Sequence, residues 1–150
     1  AGGVAWFESG YDAMAFHQLH RDTFRDNPEL SKKSVFVSTG GTPTDMQIRG
    51  MLSATPNVNH YLCFDNDSAG REFVNKFRLI AKSMHINPEQ IREIPLMPCY
   101  KDWNDALLGK TSEEYLGSIK DAIIPLGAPL GTTGCATDKE EEHRQPNIHR

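Results

Sequence analysis

The chain has 150 residues, is 38% hydrophobic and carries a net charge of -4, which suits one ordinary core and predicts a single main domain. No apolar run approaches the roughly 20 residues of a membrane-spanning helix, and residues 1–9 lack the basic start and long apolar stretch of a secretory signal, so a cytoplasmic location without membrane contact is expected. The acidity argues against tight nucleic-acid binding through a broad basic surface, and Cys63, Cys99 and Cys135, odd in number and far apart, suggest neither a disulfide framework nor a zinc-ligand pair.

Residues 4–7 form the first short apolar run and predict a strand that ends against Glu8. A helix is expected over residues 11–21, with Ala15, Phe16 and Leu19 on its apolar side. His17 and His20, spaced i and i+3, fit the polar face of that helix. Residues 34–37 predict the second strand, followed by the small loop Ser38-Thr39-Gly40-Gly41 and a helix over residues 44–54 that presents Ile48, Met51 and Leu52. Thr42 is read as the N-cap of this helix, Pro43 as its first residue and Asp45 as the partner in a capping-box-like pattern. Such a strand, glycine loop and helix start offer N–H groups to a phosphate, with Gly40, Gly41 and Thr42 as its contacts, although a tight turn before a capped helix explains the same residues.

The third apolar run, residues 60–64, ends in Asp65-Asn66-Asp67. A helix over residues 69–84 is the clearest of all, because Phe73, Phe77, Ile80, Ala81 and Met84 share one face. Residues 91–96 predict a fourth strand, in which Pro95 marks an edge or an end. Near-continuous apolar runs separated by helices fit a mainly parallel, Rossmann-like α/β sheet of about four strands, buried on both faces, with right-handed crossovers. After Leu126 the composition turns to Gly, Pro, Thr and charge, so residues 1–126 are expected to form the domain and residues 127–150, with His143 and His149, a tail or linker.

In an open parallel sheet ligands bind beyond the carboxyl ends of the strands. Asp65 and Asp67 lie two residues apart and leave the same side of an extended chain, about 6.6 Å apart along it. Glu8 joins them if strands one and three are neighbours. Crowded carboxylates repel by roughly 4 kcal/mol per pair at 4 Å and an effective dielectric of 20, and a cation relieves this. Oxygen ligands without Cys or His select a hard ion, best Mg²⁺, with Mn²⁺ as a substitute. The competing explanation is that an Asp caps the third helix while Gly70 relieves crowding.

A strand ending in Glu and a later strand ending in DxDxAG resemble the Toprim domain of primases, topoisomerases and related nucleases. The resemblance covers VAWFESGYDAMAF (4–16), VFVSTGGTPT (35–44), YLCFDNDSAGREF (61–73) and KDWNDAL (101–107), in family order. It implies a metal site on Glu8, Asp65 and Asp67, with Asp12 and Asp102 as further acidic contributors, and Glu8 acting as ligand or general acid/base. The last block departs from the KDPD form of primases: Trp103-Asn104-Asp105 replaces Pro-Asp, which leaves Asn104 or Asp105 as the second polar contact. This form most resembles Toprim domains of bacterial mobilisation and primase-like proteins, and a capped helix start in which Trp103 packs is its structural alternative. The resemblance implies Mg²⁺-dependent nucleotidyl transfer on DNA or RNA, with nucleotides and the other domains of a longer protein as partners. A nuclease or a non-catalytic nucleic-acid scaffold is the alternative. Arg71 and Lys101 are the cations placed to steady a phosphate, and none of Tyr11, Tyr61, Tyr100 or Tyr115 suggests a topoisomerase nucleophile.

Overall fold

The computed structural model describes residues 2–112; the predicted tail at 127–150 lies outside the described residues, as does the end of the predicted domain. Four strands, β1 (Gly3–Phe7), β2 (Val35–Ser38), β3 (Asn59–Leu62) and β4 (Ile91–Glu93), make one sheet in the order β2-β1-β3-β4. All three pairings are parallel. Strand β1 lies in the middle and is buried along its whole length, as its unbroken apolar sequence requires. The expectation of burial on both faces fails for β2, where Val35 remains 54% exposed. That strand is an edge and has only one neighbour to cover it. Strand β4 is the other edge and stops at Glu93, short of the predicted residue 96 and of Pro95.

Helices α4 (Asp45–Ala54) and α5 (Ser68–Ser83) cover one face of the sheet. Phe73, Phe77, Ile80 and Ala81 of α5 are buried there with Ile48 and Leu52 of α4 against Val4, Trp6 and Leu62. Phe77 meets the Trp6 indole edge-on at 4.9 Å. Each such large side chain contributes about 1.5–3 kcal/mol of burial, so this face holds most of the core. Within it the Trp6 Nε1–H donates to His60 Nδ1 at 3.1 Å, which leaves the proton of the neutral ring on Nε2, 3.3 Å from Thr55 Oγ1. Thr55 in turn donates to the Met51 carbonyl at 2.7 Å. Burial lowers the pKa of His60, consistent with a neutral ring in an apolar layer.

Helices α1 (Gly10–Leu19) and α6 (Trp103–Leu108) pack on the opposite face, with Phe7, Phe16, Cys63, Leu96 and Trp103 as their shared core. Ala15 and Phe16 of α1 are buried as expected, but Leu19, at 42% exposure, is not part of that face. Two short helices, α2 (Arg21–Asp26) and α3 (Pro28–Lys33), lead to β2. Neither buries a residue, so no apolar period betrays them in the sequence; exposed pairs such as Arg25–Asp22 at 3.0 Å line them instead.

The start of α4 differs from the expected one. Thr44, not Thr42, is the N-cap: its Oγ1 accepts from the Gln47 N–H at 3.2 Å and Gln47 Oε1 accepts from the Thr44 N–H at 2.9 Å. Gln reaches back where the shorter Asp45 cannot, which makes Thr44-Asp45-Met46-Gln47 the stronger capping box. Among the described residues no helix is long and apolar enough to cross a membrane.

Candidate metal and nucleic-acid site

The crossover from β1 to β2 runs over one face and that from β1's other neighbour, β3, to β4 runs over the opposite face, so a crevice opens beyond the carboxyl ends of β1 and β3. Ligands bind at such a switch point. The register Trp6↔Leu62 brings the ends of these neighbouring strands level, which satisfies the condition for Glu8 to meet Asp65. The Asp65 N–H lies 3.5 Å from Glu8 Oε1, and the two carboxyl groups are close enough to shift each other's protonation.

Burial raises the Asp65 carboxyl to about 8, helped by the charges of Glu8, Asp12 and Asp102. Burial also raises Glu8, with Asp67 and Asp12 adding to the rise while its bonds to Asp65 oppose it. Asp65 Oδ1 is buried and has no hydrogen-bond partner among the described residues. A buried, partnerless carboxylate oxygen is costly; it is the one atom here that asks for a ligand from outside.

The other predicted acids are also employed in folding. Asp67 caps α5, with Oδ1 accepting from the Gly70 N–H at 2.8 Å, while its Oδ2 stands 4.0 Å from Lys101 Nζ. Asp102 caps α6 by accepting from the Asp105 N–H at 2.7 Å. Asp12, only 5% exposed, accepts from Ser9 Oγ at 2.5 Å and from the Asn104 N–H at 3.1 Å, and so ties α1 to the start of α6. The capping explanation of these motifs therefore holds, and the capped acids are also neighbours of the Glu8–Asp65 pair. Asn104 contributes through its backbone, and the Asp105 carboxyl is raised by burial and by Asp102. Among the described residues no three His, Cys, Asp or Glu side chains stand ready to grip one ion, because Asp12, Asp67 and Asp102 face their caps and braces.

Gly70 shows why the glycine of DxDxAG is needed. A Cβ there would lie 2.0 Å from the Asp65 carbonyl oxygen, so only glycine lets α5 begin this close to the acidic turn. Arg71, beside it, lines a cleft of about 390 Å³ together with Asp65, Asn66, Phe64, Glu93 and Leu96. The glycine loop approaches from β2, with Gly40 and Gly41 at φ 65° and 116°. Its Gly41 N–H donates to the Glu8 carbonyl at 3.1 Å and its Thr39 N–H to the Phe7 carbonyl at 2.9 Å. The loop thus braces Glu8 with groups that a phosphate seat would leave open.

Two residues escaped the sequence reading. Ser9, the N-cap of α1, was legible in Ser9-Gly10-Tyr11-Asp12 as a capping pattern. Asn66 had no signal beyond its place between two aspartates.

A family model described as Toprim-like matches residues 6–107 of this chain. No curated protein and no solved structure matches it.

Proposed function

The chain belongs to the Toprim-like family, a family of divalent-metal chemistry on nucleic acids, and on that premise we propose that Glu8 and Asp65 are the centre of a Mg²⁺ site for nucleotidyl transfer on DNA or RNA, as in primase-like and mobilisation proteins. The observation that carries the proposal is the partnerless, buried Asp65 Oδ1 at the switch point, on a residue whose backbone N–H meets Glu8. The donor set is oxygen alone, which suits Mg²⁺ or Mn²⁺. Two carboxylates with water and substrate phosphate are a common way to hold Mg²⁺, so the scarcity of ready ligands fits an ion that arrives with its nucleotide. Asp67 would add a ligand by turning Oδ2 from Lys101, and Asp102 and Asp12 would add negative field from behind.

When bound, such ions activate the attacking oxygen and stabilise the leaving one. The residues of the chain make the site acidic and partly buried. The raised Asp65 carboxyl holds a proton near neutral pH, and Glu8 beside it would take or return a proton at its Oε atoms. Arg71, on the cleft wall beside Asp65, and Lys101, beside Asp67, would steady the phosphate. Of the predicted glycine-loop contacts, Gly40 and Thr42 would serve as an outer backbone contact, the Gly41 N–H being held by the Glu8 carbonyl.

A nuclease follows from the same site if water replaces the primer hydroxyl. The scaffold reading draws on a specific observation, the use of Asp12, Asp67 and Asp102 as braces and caps. The test is primer synthesis and nicking by the longer parent protein, with Glu8→Ala and Asp65→Ala beside wild type. Loss of synthesis in both variants supports the proposal; loss of nicking alone assigns the nuclease. Unchanged activity in both removes the catalytic role.

A further inference from the structure

Between β4 and α6, residues 94–102 have no helix or strand to hold them, yet they deliver Lys101 and Asp102 to the acidic crevice. Their backbone carbonyls must find donors, and one residue, Asn66, serves four of them. The Asn66 N–H donates to the Lys101 carbonyl at 2.6 Å. Its Nδ2 group faces the carbonyls of Tyr100 at 2.9 Å, Met97 at 3.1 Å and Leu96 at 3.4 Å. Four carbonyls of one irregular segment thus converge on a single side chain and its own amide.

We propose that Asn66, the middle residue of Asp65-Asn66-Asp67, is a positioning residue that latches the 96–101 segment and thereby sets Asp102 beside the Glu8–Asp65 pair; its part in metal binding rests on the function proposed above. The chemistry is selective. An aspartate would turn an oxygen toward three carbonyl oxygens, a glutamine is one methylene too long, and an alanine leaves the carbonyls without a donor. Other anchors hold the segment's flanks and its middle: the Ile94 N–H donates to the Leu62 carbonyl at 3.1 Å, the Ser112 N–H to the Cys99 carbonyl at 2.8 Å and the Trp103 Nε1–H to the Cys63 carbonyl at 3.0 Å, while the Asn104 N–H reaches Asp12. What Asn66 adds is the tie between four carbonyls of the segment and the acidic turn. The intervening position then has a use of its own, since the Asn66 side chain reaches the loop carbonyls while Asp65 stays beside Glu8.

The test is a cycle of Asn66→Ala with Asp102→Asn, which removes the charge and keeps a good N-cap. Manganese binding is followed by electron paramagnetic resonance, and amide hydrogen exchange is measured without metal. Asn66→Ala is expected to weaken Mn²⁺ binding about tenfold in the wild-type background and less than about twofold beside Asp102→Asn, because the two act through one carboxylate. It is also expected to speed exchange at Tyr100 while the amides of α5 keep their protection. Equal weakening in both backgrounds, or exchange that rises uniformly through the domain, would overturn the positioning role. If the wild type and Asp65→Asn bind Mn²⁺ alike, the metal reading fails by itself, and the exchange pattern still decides the latch.

Discussion

Replacing Asp65 by asparagine should make the metal-free protein more stable while it destroys metal binding. The Asp65 carboxyl is raised from 3.8 to about 8, first by burial and then by Glu8, Asp12 and Asp102. A carboxyl raised in the folded state contributes stability that is fully present below its unfolded value and is lost as pH rises through the folded one. The loss therefore spans the interval from 3.8 to about 8. At 1.36 kcal/mol per pH unit the ceiling is about 6 kcal/mol, and solvent screening of a partly exposed pair reduces it to about 2 kcal/mol. Asp65→Asn removes this penalty, so its unfolding midpoint should exceed that of wild type by about 6 °C near pH 8, using about 2–4 °C per kcal/mol for a chain of this size. Near pH 4 the two should coincide within about 2 °C, since wild-type Asp65 is then protonated as well. Thermal unfolding followed by far-ultraviolet circular dichroism, in chelator, measures both. Adding Mg²⁺ near pH 8 should raise the midpoint of wild type and leave Asp65→Asn unchanged. A variant that gains nothing near pH 8, or gains equally at both pH values, refutes the buried, repelling pair.

Gly70→Ala should cost more than about 2 kcal/mol in urea unfolding, because its new methyl group meets the Asp65 carbonyl at 2.0 Å and the backbone must move; a loss below about 0.5 kcal/mol would show that α5 shifts freely. Asp12→Ala should cost about 1–3 kcal/mol by leaving the Asn104 N–H without its acceptor, and a loss confined to activity would refute the bracing role. The lowered pKa of His60 has the opposite pH signature to Asp65. The unfolded chain takes up a proton below 6.5 while the buried ring does not, so stability falls with pH from 6.5 down to the folded value. Because the raised Glu8 and Asp105 carboxyls keep an opposite trend even in Asp65→Asn, the ring is read directly, and an NMR titration of His60 with its midpoint at or above 6.5 would contradict the burial effect.

The sequence by itself determined the α/β class, because residues 4–7 and 60–64 can only be satisfied inside a sheet and the face running from Phe73 to Ala81 only against one. It also determined that Glu8, Asp65 and Asp67 end strands, and the family motif was legible in the same residues. The strand order was not legible: short apolar runs carry no record of their neighbours, and only the order β2-β1-β3-β4 made Glu8 and Asp65 partners. The helices α2 and α3 were silent because they bury nothing. The division of labour among the acids was equally a tertiary matter. Asp12 became a brace when α6 brought the Asn104 N–H to it, and Asp67 and Asp102 became caps at helix starts whose directions are set by packing. Asp65 alone among them kept a buried oxygen without a partner, since the sheet that buries it supplies a second carboxylate and no donor for that atom.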